Sequence, residues 1–376
     1  MKKVILVALV VWIYSTNLFA QSGSPVTTYI YDTPYQTVKV SPVKNGKVKN
    51  VIFMVGDGMG IVQVSAAWVA NRGKLNLDNC TYTGFSRTYC ANKLITDSGA
   101  GGTAFATGHK TNYHSVGVDA TGKPVSSLTE LAHSNGLKTG IVVTCNLTDA
   151  TPSDYCAHNV DRDQEDAIAT DYLKCNVDYI FGAGRERFNK RLDNRDLLAE
   201  MKQKGYQVCT SWEDTQKITK GKVFSVPSEG QLEFARERGT IEGDVCMHAL
   251  KFLNQDSKGF FAMFEGSRID DCGHFNDLPR LVEEVTDFDK VVGRVMEWAE
   301  KDGNTLVIVT ADHETGGFSL LDGDIASGSV SGSFATKEHS GIMVPVYAYG
   351  PGAENFTGIY ENTELFNKIV KLLNLK

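Results

Sequence analysis

The chain has 376 residues, 42% of them hydrophobic and 22% charged, which is typical of a globular protein. This length is enough for one large α/β domain or two smaller ones. The formal net charge of -7 argues against a general nucleic-acid binder, so we expect no nucleic-acid partner. If the substrate is an anion, local cations must overcome this negative background.

The N-terminus has the pattern of a secretory signal peptide. Lys2 and Lys3 precede an apolar run over residues 4–12, and small and polar residues follow up to Ala20. We predict a signal peptide over residues 1–20 that is cleaved after Ala20. The apolar run is too short to span a bilayer comfortably, so no membrane anchor is expected. The predicted location is periplasmic or secreted.

The rest of the chain predicts an α/β fold. Residues 21–47 are polar, contain three prolines and are interpreted as an N-terminal arm, and residues 48–376 form the predicted catalytic domain. Apolar, strand-like runs occur at residues 51–55, 140–144, 177–181, 260–264, 305–309 and 344–349. Helical patterns lie between them at residues 126–134, 163–173, 243–253 and 281–300. Continuous apolar strands that alternate with helices predict a three-layer α/β/α sandwich with a mainly parallel central sheet.

Three further features complete this outline. Residues 185–240 are charged and weakly periodic, which predicts an excursion from the core, and residues 321–337 are rich in Gly and Ser, which predicts a surface loop. The eight cysteines contain no Cys-x-x-Cys pair, so a structural zinc knuckle is not expected. An oxidising compartment permits disulfides, and a local Cys80–Cys90 bridge is one of many possible pairings.

Acidic residues follow four of the predicted strands. These residues are Asp57, Asp149, Glu265 and Asp312. Open α/β sheets bind ligands beyond the carboxyl ends of their strands, so the four carboxylates should meet at one edge. Crowded carboxylates are costly unless cations neutralise them. The pattern therefore predicts a metal site at the carboxyl ends of the strands.

Each of the other candidate ligands is, by itself, weaker evidence for a metal site. Asp270 and His274 are four residues apart and share one face if the segment is helical, although Gly273 weakens a helix. His313 can join its neighbour Asp312 only if the chain turns there, and His339 alone could be structural. Thr151 precedes a proline and fits a helix N-cap, a role that does not exclude metal ligation.

Ser98 stands at the start of a run of very small residues, Ser98-Gly99-Ala100-Gly101-Gly102. If this run begins a helix, the helix N-terminus favours negative charge at Ser98 and on a bound phosphate. The alternative is that Asp97 or Ser98 only caps the helix and the glycines form a flexible loop. Ser98 has no His-Asp pair beside it in the sequence, so a protease-type triad is not suggested.

Six motifs resemble those of the alkaline phosphatase family and occur in the same order as in the family. They are Val55-Gly56-Asp57-Gly58, Thr96-Asp97-Ser98-Gly99-Ala100, Thr148-Asp149-Ala150-Thr151-Pro152, Phe264-Glu265-Gly266-Ser267-Arg268-Ile269-Asp270, Val309-Thr310-Ala311-Asp312-His313-Glu314 and Glu338-His339-Ser340-Gly341. Together they cover roughly residues 50 to 350. The resemblance implies hydrolysis of phosphate monoesters to an alcohol and inorganic phosphate through a covalent phosphoserine at Ser98.

The resemblance also implies two zinc ions and one magnesium ion. The first zinc would be held by Asp270, His274 and His339. The second would be held by Asp57, Asp312, His313 and the Ser98 oxygen. The magnesium would be held by Asp57, Thr151, Glu265 and, through water, Asp149. Histidine with carboxylate suits zinc, and oxygen ligands alone suit magnesium.

Arg162 stands where the family places its phosphate-binding arginine, and its alternative role is a solvated arginine paired with His158 or Asp166. Asp271 departs from the pattern, because well-studied members often carry Lys or His directly after the zinc-ligand aspartate. We expect Asp271 to face the site and repel phosphate; the alternative is that it turns to solvent. The resemblance also implies a homodimer, with residues 21–47 as a candidate contact.

Two other classes of function remain open. A phosphodiesterase of the same superfamily generally lacks the third metal site and the arginine, and a sulfatase needs a Cys/Ser-x-Pro-x-Arg context that Ser98 lacks. A non-catalytic metal- or phosphate-binding protein is the alternative from a different class, although it would not need an intact Ser98.

Overall fold

The computed structural model describes residues 25–43, 46–256 and 258–376, so the predicted signal peptide lies outside the described residues. The strands are β1 (Thr27–Ile30), β2 (Asn50–Gly56), β3 (Tyr82–Arg87), β4 (Lys138–Asn146), β5 (Tyr179–Ala183), β6 (Tyr206–Cys209), β7 (Lys222–Ser225), β8 (Phe260–Gly266), β9 (Thr305–Thr310), β10 (Glu314–Thr315), β11 (Phe318–Asp324), β12 (Ser329–Phe334), β13 (His339–Ser340), β14 (Val344–Tyr349) and β15 (Gly358–Glu361).

The α-helices are α1 (Ile61–Ala70), α2 (Ser98–Thr107), α3 (Leu128–Ser134), α4 (Ala150–Ser153), α5 (Glu165–Asp171), α6 (Glu186–Asn189), α7 (Leu197–Gln203), α8 (Trp212–Thr215), α9 (Ala235–Arg238), α10 (Ile241–Leu253), α11 (Arg268–Phe275), α12 (Leu278–Asp302) and α13 (Thr363–Leu373). Short 3-10 helices occur at Asn76–Asn79 and Ala353–Phe356. No helix in the described ranges is both long and apolar enough to cross a membrane.

The central sheet has ten strands in the order β15-β3-β14-β9-β2-β8-β4-β5-β7-β6. Neighbouring strands pair in parallel except at β14, which runs antiparallel to both β3 and β9. The mainly parallel sheet predicted from the apolar runs is therefore confirmed. Because the parallel strands share a direction, their carboxyl ends lie along one edge, where loops can bring side chains together.

Strand β2 shows how the sheet separates two hydrophobic cores. Ile52 and Met54 pack with α1, α10 and α12 on one face. Val51, Phe53 and Val55 pack with α2, α3 and α13 on the other face. Successive side chains of a strand point to opposite faces, so a strand that is apolar at every position must be covered on both sides. The three-layer α/β/α arrangement is confirmed.

Two regions are more regular than the sequence predicted. Residues 185–240 contain β6 and β7, which form one edge of the central sheet, so the predicted excursion is wrong for this part. Each of these strands has four residues, too few to show a clear period. The predicted surface loop at 321–337 is also wrong, because β11 and β12 form a three-stranded sheet with β1 of the arm. In β12, small residues alternate with buried Val330 and Phe334. The high content of Gly and Ser hides this alternation in the sequence.

The suggested Cys80–Cys90 bridge does not form, and all eight cysteines are free thiols. Strand β3 lies between the two residues. An extended strand of that length spans about 20 Å, whereas a disulfide needs Cα atoms within about 7 Å. The local spacing in the sequence is therefore misleading.

The N-terminal arm packs against helix α12 of its own chain. The Tyr29 hydroxyl donates to Glu283 Oε1 at 2.6 Å, and the Tyr35 hydroxyl donates to Asp289 Oδ2. The Asp289 carboxylate also accepts the backbone N–H groups of Asn76 at 2.6 Å and Leu77 at 3.0 Å. One buried carboxylate thus joins the arm, the 3-10 helix Asn76–Asn79 and α12.

We expect Asp289→Ala to lower the free energy of unfolding by about 2–4 kcal/mol, because it leaves two buried N–H groups and the half-buried Tyr35 hydroxyl without their acceptor. Urea unfolding followed by circular dichroism measures this loss. Lys301→Ala, an exposed change on the same helix, is the control and should have little effect. Equal stability of Asp289→Ala and wild type would show that this junction does not hold the arm.

Candidate active site

The four predicted acidic residues lie at the carboxyl edge of the sheet. Asp57 follows the last residue of β2, and Glu265 is the penultimate residue of β8. Asp149 follows β4 and caps α4, and Asp312 follows β9. Asp57, Glu265 and Asp312 are each at most 9% exposed. The prediction that these strand exits converge is confirmed by their positions.

Mutual repulsion of these carboxylates shifts the pKa values of two of them, Asp57 and Glu265. Burial, followed by the charges of Asp312 and Asp270, raises the pKa of Asp57 well above its usual value. Burial, followed by the charge of Asp149, likewise raises the pKa of Glu265. Against the effect of burial, the charge of His313 lowers the pKa of Asp312, so the protein alone neutralises only part of this group of acids. Divalent cations would neutralise the rest, and would let all the carboxylates ionise.

Asp270, His274 and His339 form one cluster of ligand atoms. Asp270 and His274 lie on one face of α11, so the predicted helical spacing is confirmed, with His274 Nε2 3.1 Å from Asp270 Oδ2. His339 Nε2 lies 3.5 Å from Asp270 Oδ1 and 3.2 Å from His274 Nε2. The hydrogen bond to Asp270 raises the pKa of His274 to about 9, whereas burial and the charge of His313 lower the pKa of His339 to about 4.

Asp57, Asp270 and His313 form a second cluster. His313 Nε2 lies 3.7 Å from Asp57 Oδ1 and 3.0 Å from Asp312 Oδ2. Asp312 and His313 therefore converge although they are neighbours, because β9 ends at Thr310 and the chain bends at Asp312. Asp270 belongs to both clusters, whereas the sequence had placed it in the first only.

Ser98 begins helix α2 and points toward the second cluster, with its Oγ 3.2 Å from His313 Nε2. Asp97 caps the helix by accepting the N–H groups of Gly99 at 3.3 Å and Ala100 at 3.2 Å. The small residues of this helix are required by space: a Cβ on Gly102 would lie 1.9 Å from Asp154 Oδ2. The glycines thus belong to a buried helix and not to the flexible loop of the alternative interpretation.

Arg162 is held at the site by two carboxylates. Its Nη1 donates to Asp97 Oδ2 at 3.1 Å, and its Nη2 donates to Asp149 Oδ1 at 2.8 Å. Its backbone N–H donates to His114 O at 2.7 Å, which fixes the loop that carries it. The alternative pairing with His158 or Asp166 does not occur, since His158 contacts Glu130 and Asp166 contacts Arg191.

Several buried oxygens at the site lack a hydrogen-bond partner. They include Asp57 Oδ1 and Thr151 Oγ1. A buried oxygen without a donor costs free energy unless something else binds it. Thr151 lies in α4, two residues after Asp149, and its hydroxyl and the Asp149 and Glu265 carboxylates supply oxygen ligands alone. The orphaned atoms and the donor types fit divalent cations at the predicted positions.

Comparison with known proteins agrees with this geometry. The sequence model of the family described as "Alkaline phosphatase" matches residues 48–332 and 327–375. The chain belongs to the alkaline phosphatase family. It is 33% identical to alkaline phosphatase 4 of Bacillus subtilis, over 90% of this chain and 92% of that protein. It is 28% identical to the streptomycin-6-phosphate phosphatase of Streptomyces griseus, over 87% and 91%.

Solved alkaline phosphatases have the same fold. The enzyme of the Antarctic bacterium TAB5 superposes with a TM-score of 0.84 and 37% identity, over 88% of this chain and 99% of that one. A His135Asp mutant of that enzyme, with the same coverage, was solved with Mg bound in a site called M3. Family membership establishes phosphatase activity for the chain, and it indicates that metal ions take part.

Three contacts of this alkaline phosphatase were missed in the sequence. Thr315 Oγ1 lies 3.1 Å from His313 Nδ1 and donates to Asp270 Oδ1, so it connects the two clusters and directs His313 Nε2 toward Ser98. Asp97 binds Arg162, which its position beside Ser98 could have suggested. Asp271 Oδ2 pairs with Arg268 Nε, and the i, i+3 spacing on a helix was the available signal.

Asp271 is half-buried and its carboxylate pairs with Arg268, and its expected orientation toward the site stays a prediction. Burial raises its pKa, Arg268 opposes that change, and the charges of Asp270 and Asp149 add to it. Arg268 is itself fixed, because its Nη1 donates to Leu232 O at 2.5 Å and its guanidinium lies 3.8 Å from the centre of the Phe234 ring. The anion expected from the sequence is thus partly compensated by a neighbouring cation.

Proposed function

We propose that the enzyme hydrolyses phosphate monoesters through a covalent phosphoserine at Ser98, with two zinc ions and one magnesium ion. The observation that carries this proposal is the position of Ser98: its oxygen lies 3.2 Å from the ligand histidine His313 and at the start of the helix capped by Asp97, which also binds Arg162. A nucleophile, candidate metal ligands and a phosphate-binding cation therefore share one small region.

The candidate ligands are divided between the ions by their chemistry. The first zinc is assigned to Asp270, His274 and His339. The second is assigned to Asp57, Asp312, His313 and Ser98. The magnesium is assigned to Asp57, Thr151, Glu265 and, through water, Asp149. Bound at these positions, the ions would lower the pKa of the Ser98 hydroxyl and stabilise charge on the phosphoryl and leaving oxygens.

The chain's own groups bind the substrate and form the intermediate. The planar fork of Arg162 can bind two phosphoryl oxygens, and the N-terminus of α2 favours their negative charge. Ser98 Oγ bonds to phosphorus as the ester P–O bond breaks, and the alcohol leaves with a proton. Water then attacks phosphorus, the Ser98 O–P bond breaks, and the serine recovers its proton as phosphate is released.

Comparing three chromogenic substrates tests this function against the alternatives. p-Nitrophenyl phosphate should be hydrolysed far faster than bis(p-nitrophenyl) phosphate or p-nitrophenyl sulfate, because Arg162 and the assigned magnesium site suit a phosphate dianion. Preferential hydrolysis of the diester or the sulfate would favour another activity of the superfamily. Hydrolysis of none of the three by metal-loaded protein would favour a non-catalytic binding role.

Asp271 gives a separate prediction about phosphate affinity. We expect Asp271→Lys to lower the inhibition constant of inorganic phosphate by about tenfold, since unit charges several ångströms apart interact by roughly one to a few kcal/mol. Asp271→Asn should lower this constant less, because it removes the negative charge and adds no positive charge to that of Arg268. Product inhibition at fixed ionic strength measures both. Equal constants in all three proteins would show that Asp271 has no effect on phosphate binding.

We further propose that the mature enzyme is periplasmic or secreted and forms a homodimer. The basic residues before the apolar run at 4–12 support the first statement. N-terminal sequencing of the exported protein should begin at Gln21. The dimer rests on the family resemblance, and light scattering after gel filtration tests it. The arm contacts its own α12, so residues 25–43 are at least partly used within the subunit.

A further inference from the structure

Glu314 is a buried acid that the proposed reaction does not use. It is 3% exposed and opens the two-residue strand β10, directly after the ligand His313. Strand β10 pairs with β13, so that Glu314 lies opposite Ser340 and Thr315 lies opposite His339. A ladder of two residues is weak by itself. The position of His339 therefore depends on additional contacts.

The Glu314 carboxylate supplies such contacts by accepting four hydrogen bonds. Its Oε1 accepts Gln63 Nε2 at 2.6 Å and the Phe318 N–H at 3.0 Å. Its Oε2 accepts the Gly317 N–H at 3.2 Å and the Ser340 hydroxyl. Among the described residues, no ion pair within 4.0 Å involves Glu314. The charge is held by hydrogen bonds alone.

These hydrogen bonds connect the three segments that carry candidate zinc ligands. Gln63 lies on α1, just after the loop that carries Asp57, and Ser340 follows His339. The side chain also touches the Asp57 loop directly, because a Cβ on Gly60 would lie 2.3 Å from Glu314 Cγ. Glu314 thus fills the space between the Asp57 loop, the exit of β9 and the His339 strand.

We propose that Glu314 is a positioning residue that holds His339 in register with His313 and Asp57 for metal binding. The inference rests on the proposed zinc sites. Its mechanism is the bond from Ser340 to a fixed carboxylate, which orients the neighbouring His339, whose Nδ1 is held in turn by Thr96 O at 2.8 Å.

The test uses Glu314→Gln, Ser340→Ala, their double variant and the exposed Glu354→Gln as a matched control. Zinc affinity is measured by competition with a chromogenic chelator. We expect Glu314→Gln to weaken binding by about 10- to 100-fold, as for other residues that orient metal ligands. Ser340→Ala should weaken it less, and the double variant should match Glu314→Gln, because Ser340 acts through that carboxylate. Glu354→Gln should bind as wild type does.

The visible spectrum of the cobalt(II)-loaded proteins separates positioning from general destabilisation, since its bands report ligand geometry. We expect altered bands in Glu314→Gln and Ser340→Ala and unchanged bands in Glu354→Gln. If Glu314→Gln fails to fold, Ser340→Ala carries the test alone, because it removes a single hydroxyl. Wild-type zinc affinity and spectrum in the folded variants would overturn the inference. A wild-type protein that neither binds zinc nor hydrolyses monoesters would overturn the proposed function as well.

Discussion

Ser98→Ala is expected to lower kcat for p-nitrophenyl phosphate by about 10³-fold or more, because it removes the atom that bonds to phosphorus. The change deletes one oxygen from a buried helix start that Asp97 still caps, so the fold should be kept. Substrate binding should also survive, since Arg162 retains both of its carboxylate partners. Steady-state kinetics at saturating substrate measures the loss.

The matched control for this variant is Ser134→Ala, an exposed serine at the end of α3, which should keep wild-type kcat. Circular dichroism should show equal helix content in both variants. A Ser98→Ala enzyme with kcat within a few fold of wild type would contradict the assignment of Ser98 as the nucleophile.

Removal of divalent cations is expected to abolish activity and to lower the melting temperature. Without ions, the carboxylates of Asp57, Glu265 and Asp312 repel one another at a buried edge. Ions that bind only the folded protein stabilise it by about 2.7 kcal/mol each when present at a hundred times their Kd. Zinc should restore activity, and magnesium should increase it further.

Dialysis against a chelator, followed by activity assays and differential scanning calorimetry, measures both effects. The control is the same chelator saturated with zinc, which should leave activity and melting unchanged. Unchanged activity and melting after exhaustive chelation would contradict the assignment of the ligand clusters around Asp270 and His313.

The central architecture could be predicted because its signals are local. Strands such as β2 are apolar at every position, and only a sheet covered on both faces accommodates them. Asp57, Glu265 and Asp312 could be placed together because parallel strands deliver their following residues to one edge. The spacing of Asp270 and His274 likewise defines a helix face.

Other features depend on partners far away in the chain. Strand β12 is rich in Gly and Ser, and it becomes a strand because β1 and β11 pair with both of its edges. The role of Glu314 arises from contacts with residues about 250 positions before it and 26 after it, which no local pattern reveals. The pairing of Asp271 with Arg268 was within reach of the sequence, because the two residues are three positions apart on a helix.

Identification of the phosphorylated residue tests the central claim most directly. The enzyme is incubated briefly with inorganic phosphate at acidic pH, quenched in acid, digested and analysed by tandem mass spectrometry. The proposed mechanism predicts one phosphoryl group on the peptide that contains Ser98, and none in Ser98→Ala. A phosphoryl group on another residue, or an active enzyme that never carries one, would contradict it.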